Sequence, residues 1–524
     1  MAAVVGLWLL LQAWQPLVLG FYGDDWAWPD AALNGGPFSA ERFLQSGVWG
    51  VSRSRPMYAL AYFVTSSLAG SSAVRIRFIA SVVLLATMVA VYLFTQRLLR
   101  LAAIHDDRLA VWAAASWLIM PWTIFAKVSP TAELAYLSAV FFLSGAALFW
   151  SSLERDRPAW FGPSLLQLLS YLTYEAFYLQ YIAVLLVAYA YNRSRRRSTF
   201  ALVGPAVAFS VVQLLAIAYN RLAGSPKTPA GLRATLVKFV YNVTAGPFDV
   251  LISSAYLYAI GIVLGVLVAA ALYRSTLRRL DAGEATRQRA LLGGALAGAA
   301  LALATYAAAN YSLTGRDVYT SFSADFWLAA AGALVIGVPL THGTLTPATR
   351  ALLAVGVVCL LAAAGTRIHE WRTAGVRQEQ WVAAAPVEQI RATPENAVIF
   401  YDGPTRYEGA WVYDRPSVLE RRFTNRFGFF RRFYIHELSC VSWNPEQVRE
   451  DLGVVGRFRT APAIRVREPW YYWNPDTGTF RRLTGALESK DTRMETLPFS
   501  EMVKLRHWPL VEGARLIAAV RAAR

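Results

Sequence analysis

Residues 1–26 read MAAVVGLWLLLQAWQPLVLGFYGDDW, and this stretch decides how the rest of the chain is interpreted. The first twenty residues are mostly apolar, which is the length an α-helix needs to cross a bilayer. They have no basic start and no clear small-x-small cleavage site, which favours an uncleaved first span over a signal peptide. Asp24 and Asp25 therefore follow where the chain is expected to leave a membrane.

The composition is typical of a membrane protein. Of 524 residues, 56% are hydrophobic and 16% are charged, whereas soluble proteins carry roughly 25% charged residues. The net charge is +17, and the first 366 residues hold 26 basic and 15 acidic residues of the total. Because most of this excess lies among apolar segments, it indicates membrane topology, and no nucleic-acid partner is expected. Cys359 lies in an apolar span far from Cys440, so we expect no disulfide.

Apolar runs recur along residues 1–366 and predict a mainly α fold, a polytopic membrane helix bundle of about 11 transmembrane helices. The first outer loop, 21–77, contains a short apolar run at 56–70 that predicts an interfacial helix. A second outer loop is expected at 223–249. The apolar run 160–191 is too long for one crossing, and its polar interruption predicts a tight helical hairpin with Glu175 near the tip.

Alternating the spans places most short-loop basic residues on one side, which marks that side as cytoplasmic. Asp24, Asp25 and both long loops then lie on the outer face. These basic residues are Arg97, Arg100, Arg108, Arg155, Arg157, the 193–197 cluster, those from 274 to 289, and Arg350.

The tail, 367–524, contains no apolar span and reads as a soluble α/β domain outside the cytoplasm. A strand is predicted at 397–400, and the aromatic run 470–473 is expected to open a β-hairpin that ends at 483. The aromatic run could stack on sugar rings, but such runs more often form hairpin core. Together with the alanine- and arginine-rich composition, these features favour an integral protein of a bacterial plasma (inner) membrane.

The adjacent carboxylates of Asp24 and Asp25 are the first candidates for chemistry. A carboxylate beside a membrane can take a proton from an attacking hydroxyl, or hold a divalent cation such as Mg²⁺ or Mn²⁺. The alternative is a solvated pair that caps a helix. Asp325, at the edge of a late outer loop, is expected to be solvated.

Several short motifs of the first 365 residues belong together. They are Gly23-Asp24-Asp25-Trp26, Ser54-Arg55-Pro56-Met57-Tyr58, Leu68-Ala69-Gly70, Arg75-Ile76-Arg77, the segments 129–133 and 171–175, and Thr314-Gly315-Arg316. This series resembles the GT-C-type glycosyltransferases, polytopic enzymes that use polyprenyl-phosphate-linked sugars. The chain lacks the His-Pro-Pro pattern of the protein O-mannosyltransferases before Met57, and the Trp-Trp-Asp triplet of oligosaccharyltransferase in its tail.

The resemblance implies an enzyme that moves a sugar from a polyprenyl-phosphate-linked donor to a hydroxyl of a glycan, lipid or protein on the outer face. Asp24 or Asp25 would be the general base or a cation ligand. Arg316 fits the donor phosphate best, because a guanidinium donates two parallel hydrogen bonds. Further candidates for substrate contact, each of which could instead be a snorkelling or helix-capping residue at the membrane interface, are Arg55, Glu133, Glu175, Lys227 and Lys238.

The alternative to an enzyme is a polytopic transporter or flippase, or a non-catalytic membrane scaffold with a sensor tail. Transporters are commonly built from internal repeats and carry polar residues near mid-membrane. No repeat is visible here, and Gln167 and Gln213 are the obvious polar residues well inside predicted spans. This pattern favours the enzyme.

Overall fold

A computed structural model provides the fold. It describes residues 2–11, 40–45, 49, 53–69, 73–120, 127, 134–155, 159–195, 197–223, 232–308, 322–395, 397–401, 406–407, 410–411, 423, 426–429, 431–435, 470–475 and 478–483.

The described chain is mostly helical, which confirms the predicted fold class at that level. The helices are α1 (Ala2–Leu11), α2 (Ala40–Gln45), α3 (Pro56–Ala69), α4 (Ala73–Leu101), α5 (Asp107–Leu118), α6 (Leu137–Glu154), α7 (Phe161–Thr173), α8 (Tyr181–Ser194), α9 (Val203–Leu222), α10 (Leu232–Leu277), α11 (Ala282–Ala308), α12 (Phe322–Thr341), α13 (Pro347–Ala383) and α14 (Val387–Arg391). Two 3-10 turns, Glu175–Phe177 and Thr199–Leu202, precede α8 and α9.

Seven helices in the described part of the chain are long and apolar enough to cross a membrane. They span Val74–Leu101, Leu137–Glu154, Thr199–Leu222, Tyr258–Leu277, Ala282–Ala308, Phe322–Thr341 and Pro347–Ala383. The remaining predicted spans correspond to shorter described helices, so the count of about 11 stays a prediction. The chain is consistent with an integral membrane protein.

Helix ends follow the local sequence. The Asp106 carboxylate accepts a hydrogen bond from the Arg108 amide at 3.0 Å, and this caps the start of α5. Pro56 and Pro347 stand at the first position of α3 and α13, where the missing N–H costs no hydrogen bond. The second predicted outer loop, 223–249, is helical from Leu232 as the first part of α10.

One end of the bundle collects the basic helix termini, and we call it the arginine end. Arg97 at the end of α4 pairs with Glu154 at the end of α6 at 3.1 Å. The Gln288 amide of α11 donates to the Ala102 carbonyl at 2.8 Å. Arg197 donates to the Leu153 carbonyl at 2.9 Å. The helix ends that the sequence assigned to one side therefore do meet, and the cytoplasmic identity of that side stays a prediction.

The opposite end of the bundle is formed by the start of α3 and α12 and the end of α7, α9 and α11, and we call it the hairpin end. The Tyr219 hydroxyl of α9 donates to the Arg53 carbonyl at 3.0 Å. The Thr305 hydroxyl of α11 donates to the Tyr178 carbonyl at 2.8 Å. Helices α9 and α11 thus both run toward the hairpin end, and α12 runs away from it.

Aromatic side chains fill the middle of the bundle. The Phe94 ring lies 4.8 Å from Trp150 and 5.0 Å from Trp327, measured between ring centroids. All three are fully buried. A methyl group at Gly298 of α11 would overlap the Trp327 indole, so glycine is needed for α11 and α12 to approach each other.

The described residues divide into two compact units, with the boundary between His369 and Glu370. The second unit holds a four-stranded sheet in the order β4-β1-β5-β6, where β1 is parallel to both neighbours and β5 is antiparallel to β6. The strands are β1 (Val398–Tyr401), β2 (Arg406–Tyr407), β3 (Ala410–Trp411), β4 (Arg432–Ile435), β5 (Trp470–Asn474) and β6 (Thr479–Leu483), with β2 and β3 forming a separate antiparallel pair.

The predicted hairpin in the tail is confirmed by the pairing of β5 with β6. Trp473 is fully buried and its ring lies 5.2 Å from that of Tyr401 on the neighbouring parallel strand. This tryptophan therefore packs within the sheet and is not exposed for sugar stacking. The location of the second unit outside the cytoplasm stays a prediction.

Candidate active site

The hairpin formed by α7 and α8 presents Glu175 at its tip. At the arginine end, the Ala159 amide before α7 donates to the Ser152 hydroxyl at 2.9 Å, and Arg197 after α8 donates to the Leu153 carbonyl. Both legs of the hairpin are thus attached to the end of α6. The turn at Glu175 consequently lies at the hairpin end.

The backbone conformation of the turn is fixed by two residues and one hydrogen bond. Tyr174 is extended, with φ of −158°, and stops α7 one residue before Glu175. Leu179 has φ of +67°, a left-handed conformation that is unfavourable for a side chain with a Cβ. Its amide donates to the Gln213 side-chain oxygen of α9 at 3.1 Å, and this bond holds the strained residue in place. Gln213, one of the two polar residues expected inside spans, therefore fixes the shape of the tip.

Arg55 and Glu175, which lie 120 positions apart in sequence, form a two-bond ion pair at this tip. Arg55 Nε donates to Glu175 Oε2 at 2.7 Å, and Arg55 Nη2 donates to Oε1 at 2.5 Å. The side chains are 21% and 17% exposed. The Arg55 guanidinium also lies 4.2 Å from the centroid of the Tyr174 ring. The structure thus brings together two of the residues that the sequence proposed for substrate contact.

The surroundings fix the charge states of Arg55 and Tyr174. Burial acts to lower the pKa of Arg55, but the negative charge of Glu175 and smaller effects of Tyr174 and Tyr58 raise it above its usual value overall. Burial raises the pKa of Tyr174 to about 12, against the opposing charge of Arg55. At physiological pH the site therefore holds a permanent guanidinium beside a neutral phenol.

Further tyrosines and one amide lie near the tip; the sequence analysis quoted Tyr171 only within the motif 171–175 and did not single out Tyr178 or Asn220. The Tyr178 ring lies 5.1 Å from that of Tyr171, edge to face. The Asn220 amide donates to the Tyr178 hydroxyl at 2.5 Å. Phenol hydroxyls and ring faces are the groups that bind polar ligands with apolar faces. The only signal in the sequence was the spacing Tyr171, Tyr174, Tyr178, which follows one face of a helix and then the turn.

Asp325 was expected to be solvated, and this prediction is wrong. Its side chain is fully buried in the first turn of α12, where the positive end of the helix dipole favours a carboxylate. Two neighbours fasten this turn to the hairpin tip: Ser323 donates to the Ala176 carbonyl at 3.2 Å, and Trp327 donates to the Gln180 side-chain oxygen at 2.7 Å. Sequence position alone could not show that the first turn of α12 is covered by the hairpin tip.

Lys127 is a second ionisable side chain that is fully buried at this end of the bundle. Its ammonium donates to the Trp117 carbonyl and to the Met120 carbonyl at 3.5 Å, the orphan acceptors at the end of α5. Burial lowers the pKa of Lys127, and the charge of Asp325 partly offsets this effect. The only indication of this burial in the sequence was that the lysine stands at the end of an apolar run with few charges after it.

The other predicted site residues lie outside what the structure describes. These are Asp24, Asp25, Glu133, Lys227 and Arg316, together with the side chain of Lys238. Within the described ranges, no group of three or more His, Cys, Asp or Glu side chains could hold a metal ion. The convergence of the aspartates on Arg316, and any cation held by Asp24 and Asp25, stay predictions.

No protein-family model matches the chain, and no curated protein matches it either.

Proposed function

We propose that the protein is a membrane glycosyltransferase that moves a sugar from a polyprenyl-phosphate-linked donor to a hydroxyl acceptor on the outer face. The observation that carries the proposal is the Arg55–Glu175 pair. It joins the first loop to the hairpin tip at one end of an apolar helix bundle, where a lipid-linked substrate would arrive from the bilayer. The motif resemblance supports the same reading.

In the proposed reaction an acceptor oxygen attacks the anomeric carbon of the donor sugar. The bond from that carbon to the acceptor forms, and the bond to the phosphate oxygen breaks. The acceptor proton goes to a carboxylate, for which Asp24 or Asp25 is proposed. The leaving polyprenyl phosphate keeps the electron pair of the broken bond, and Arg316 is proposed to stabilise its charge.

Arg55 and Glu175 fit this scheme as an oriented pair. The two parallel hydrogen bonds and the Tyr174 ring fix the guanidinium plane before any substrate binds, so little side-chain entropy remains to be lost. Because the Glu175 carboxylate balances the guanidinium charge, the pair would contribute orientation at the site rather than a net positive charge. The ring of Tyr178, which is partly exposed, would offer the adjoining surface for a sugar.

The test measures release of polyprenyl phosphate, the product common to every donor of this class. The protein in liposomes is incubated with a mixture of polyprenyl-phosphate sugars and a cell-envelope glycan fraction. We expect release by the unsubstituted protein and its loss in the Asp24→Asn/Asp25→Asn double variant. Asp106→Asn is the matched control, because this residue belongs to an adjacent aspartate pair at the arginine end and asparagine also caps helices. Equal release by all three proteins would contradict the proposal.

Transport of a lipid-linked substrate is the second candidate, and one observation favours it. Helix α7 buries Gln167, with polar neighbours on the same face, inside the bundle. The same liposomes distinguish the two functions. A transporter would move the intact donor across the bilayer without releasing polyprenyl phosphate.

A further inference from the structure

The loop that joins α8 to α9 carries arginines at the boundary of two candidate membrane spans. One span begins at Thr199, two residues after Arg197. The Arg197 side chain donates to the Leu153 carbonyl at 2.9 Å, and a second span ends at Glu154, the next residue. The ends of membrane spans lie in the headgroup layer of a bilayer. These contacts therefore put the loop at headgroup depth.

Exposed aromatic side chains lie at the same level. Trp160 and Phe161, where α7 begins, are 49% and 72% exposed, and Phe200, just before α9, is 85% exposed. The Ala159 amide donates to the Ser152 hydroxyl at 2.9 Å, which holds the start of α7 beside the end of α6. Helices α7 and α9 pack against each other. Tryptophan is typical of membrane interfaces, and exposed apolar side chains beside it indicate a surface that contacts lipid.

The arginines of the loop are held together by one aromatic ring. The guanidinium carbon of Arg195 lies 5.9 Å from the centroid of the Tyr191 ring, and that of Arg197 lies 5.4 Å from the same centroid. Tyr191 is buried, and the Arg197 amide donates to the Asn192 carbonyl at 2.9 Å. Because the ring and the turn restrict these side chains, less side-chain entropy is lost when a ligand binds.

The positive charge of this loop is not balanced by protein. Arg193 and Arg195 are exposed. Within the described ranges neither forms an ion pair with a carboxylate, whereas Arg97 at the same end pairs with Glu154 at 3.1 Å. A guanidinium binds phosphate through two parallel hydrogen bonds. Basic side chains next to a membrane also attract anionic lipids. The loop therefore favours an anionic partner that carries phosphate.

We propose that Trp160, Phe161, Arg193, Arg195 and Phe200 form a binding site for one anionic phospholipid, and we call this surface the lipid corner. The lipid phosphate binds the two arginines, and the acyl chains lie against the aromatic side chains. A phospholipid uses both halves of the surface, whereas a free phosphate ion would use only the arginines. The inference does not depend on the transferase proposal, because the lipid corner lies at the opposite end of the bundle from the Arg55–Glu175 pair.

Native mass spectrometry of the full chain in phosphatidylcholine-containing micelles tests the proposal, with phosphatidylglycerol as the probe. The site variant is Arg193→Gln/Arg195→Gln. The matched control is Arg274→Gln/Arg278→Gln. These two arginines are also exposed, and they lie at the end of α10, shortly before α11 begins at the arginine end. Both double variants remove the same charge. Phe200→Ser removes an exposed ring and keeps every arginine.

We expect the unsubstituted protein and the control to bind phosphatidylglycerol with similar affinity. The site variant should bind it at least ~10-fold more weakly, because both phosphate contacts are lost. Phe200→Ser should weaken binding about 3-fold, since less apolar surface is covered by the acyl chains.

Equal weakening in the two double variants would mean that net charge alone attracts the lipid, and this would overturn the proposal. Displacement of the bound phosphatidylglycerol by an equal concentration of inorganic phosphate would overturn it as well, because the surface would then recognise the ion rather than the lipid. Full retention of phosphatidylglycerol by the site variant would contradict the role of the arginines.

Discussion

Removing both partners of the Arg55–Glu175 pair is expected to destabilise the protein clearly less than the sum of the two single losses. Glu175→Gln keeps the shape of the side chain and leaves the Arg55 charge without its carboxylate. Breaking a fully buried pair costs about 3–5 kcal/mol, whereas exposed pairs contribute about 0–1 kcal/mol. Since these side chains are 21% and 17% exposed, we expect a loss of about 2–3 kcal/mol.

A double-mutant cycle isolates the pairwise interaction. The variants are Glu175→Gln, Arg55→Met and the double variant, and the assay is equilibrium unfolding in mixed detergent micelles. We expect a coupling free energy of about 2 kcal/mol, because two charge-assisted hydrogen bonds are lost together. The double variant should be more stable than the sum of the single losses predicts.

The Arg97–Glu154 pair provides the matched control. Its side chains are similarly exposed, at 22% and 25%, but it has one hydrogen bond at 3.1 Å. The same cycle there should give a coupling of about 0.5 kcal/mol, as for surface pairs. Equal coupling energies at the two sites would refute the argument that geometry rather than exposure makes the Arg55 pair strong.

Four further substitutions test the packing around the hairpin. Gly298→Ala should destabilise by about 1–3 kcal/mol in the same unfolding assay, because its methyl group would overlap the Trp327 ring. Gly293→Ala on the same helix, with open space around it, should instead stabilise by up to about 1 kcal/mol. Gln180→Leu should lower the free energy of unfolding by about 2–4 kcal/mol, because it removes the acceptor of the Trp327 indole N–H and a donor to the hairpin backbone. In a Trp327→Phe background the same substitution should lower it by less. Leu179→Gly should be neutral or stabilising by up to about 1 kcal/mol in thermal unfolding, because glycine accepts the positive φ.

The sequence predicted the elements whose signals are local. Long apolar runs gave helices such as α4 and α11, and the polar interruption before Glu175 gave the hairpin turn. The alternating strand and turn residues gave the β5–β6 pairing. These signals depend on hydrophobic burial and backbone chemistry, which act over a few residues.

The site was only partly predictable, because its geometry depends on contacts between distant segments. Arg55 and Glu175 were each proposed separately, from motif position and span topology, and nothing in either segment indicated that they would bond to each other. Asp325 was misread for the same reason. A carboxylate at the end of an apolar run looks solvated until the hairpin tip is placed over it.

The contrast between the two ends of the bundle bears on function more than any single residue does. At the arginine end, ion pairs such as Arg97–Glu154 join helix termini that are partly exposed to water. At the hairpin end, the ionisable side chains of Lys127 and Asp325 are fully buried, and Leu179 holds a strained backbone conformation. Buried charge and backbone strain both cost stability, and proteins retain them mainly where they position functional groups. Chemistry is therefore expected at the hairpin end. Substitutions there that preserve folding should alter activity, whereas Arg97→Gln at the other end should leave it unchanged in the polyprenyl phosphate assay.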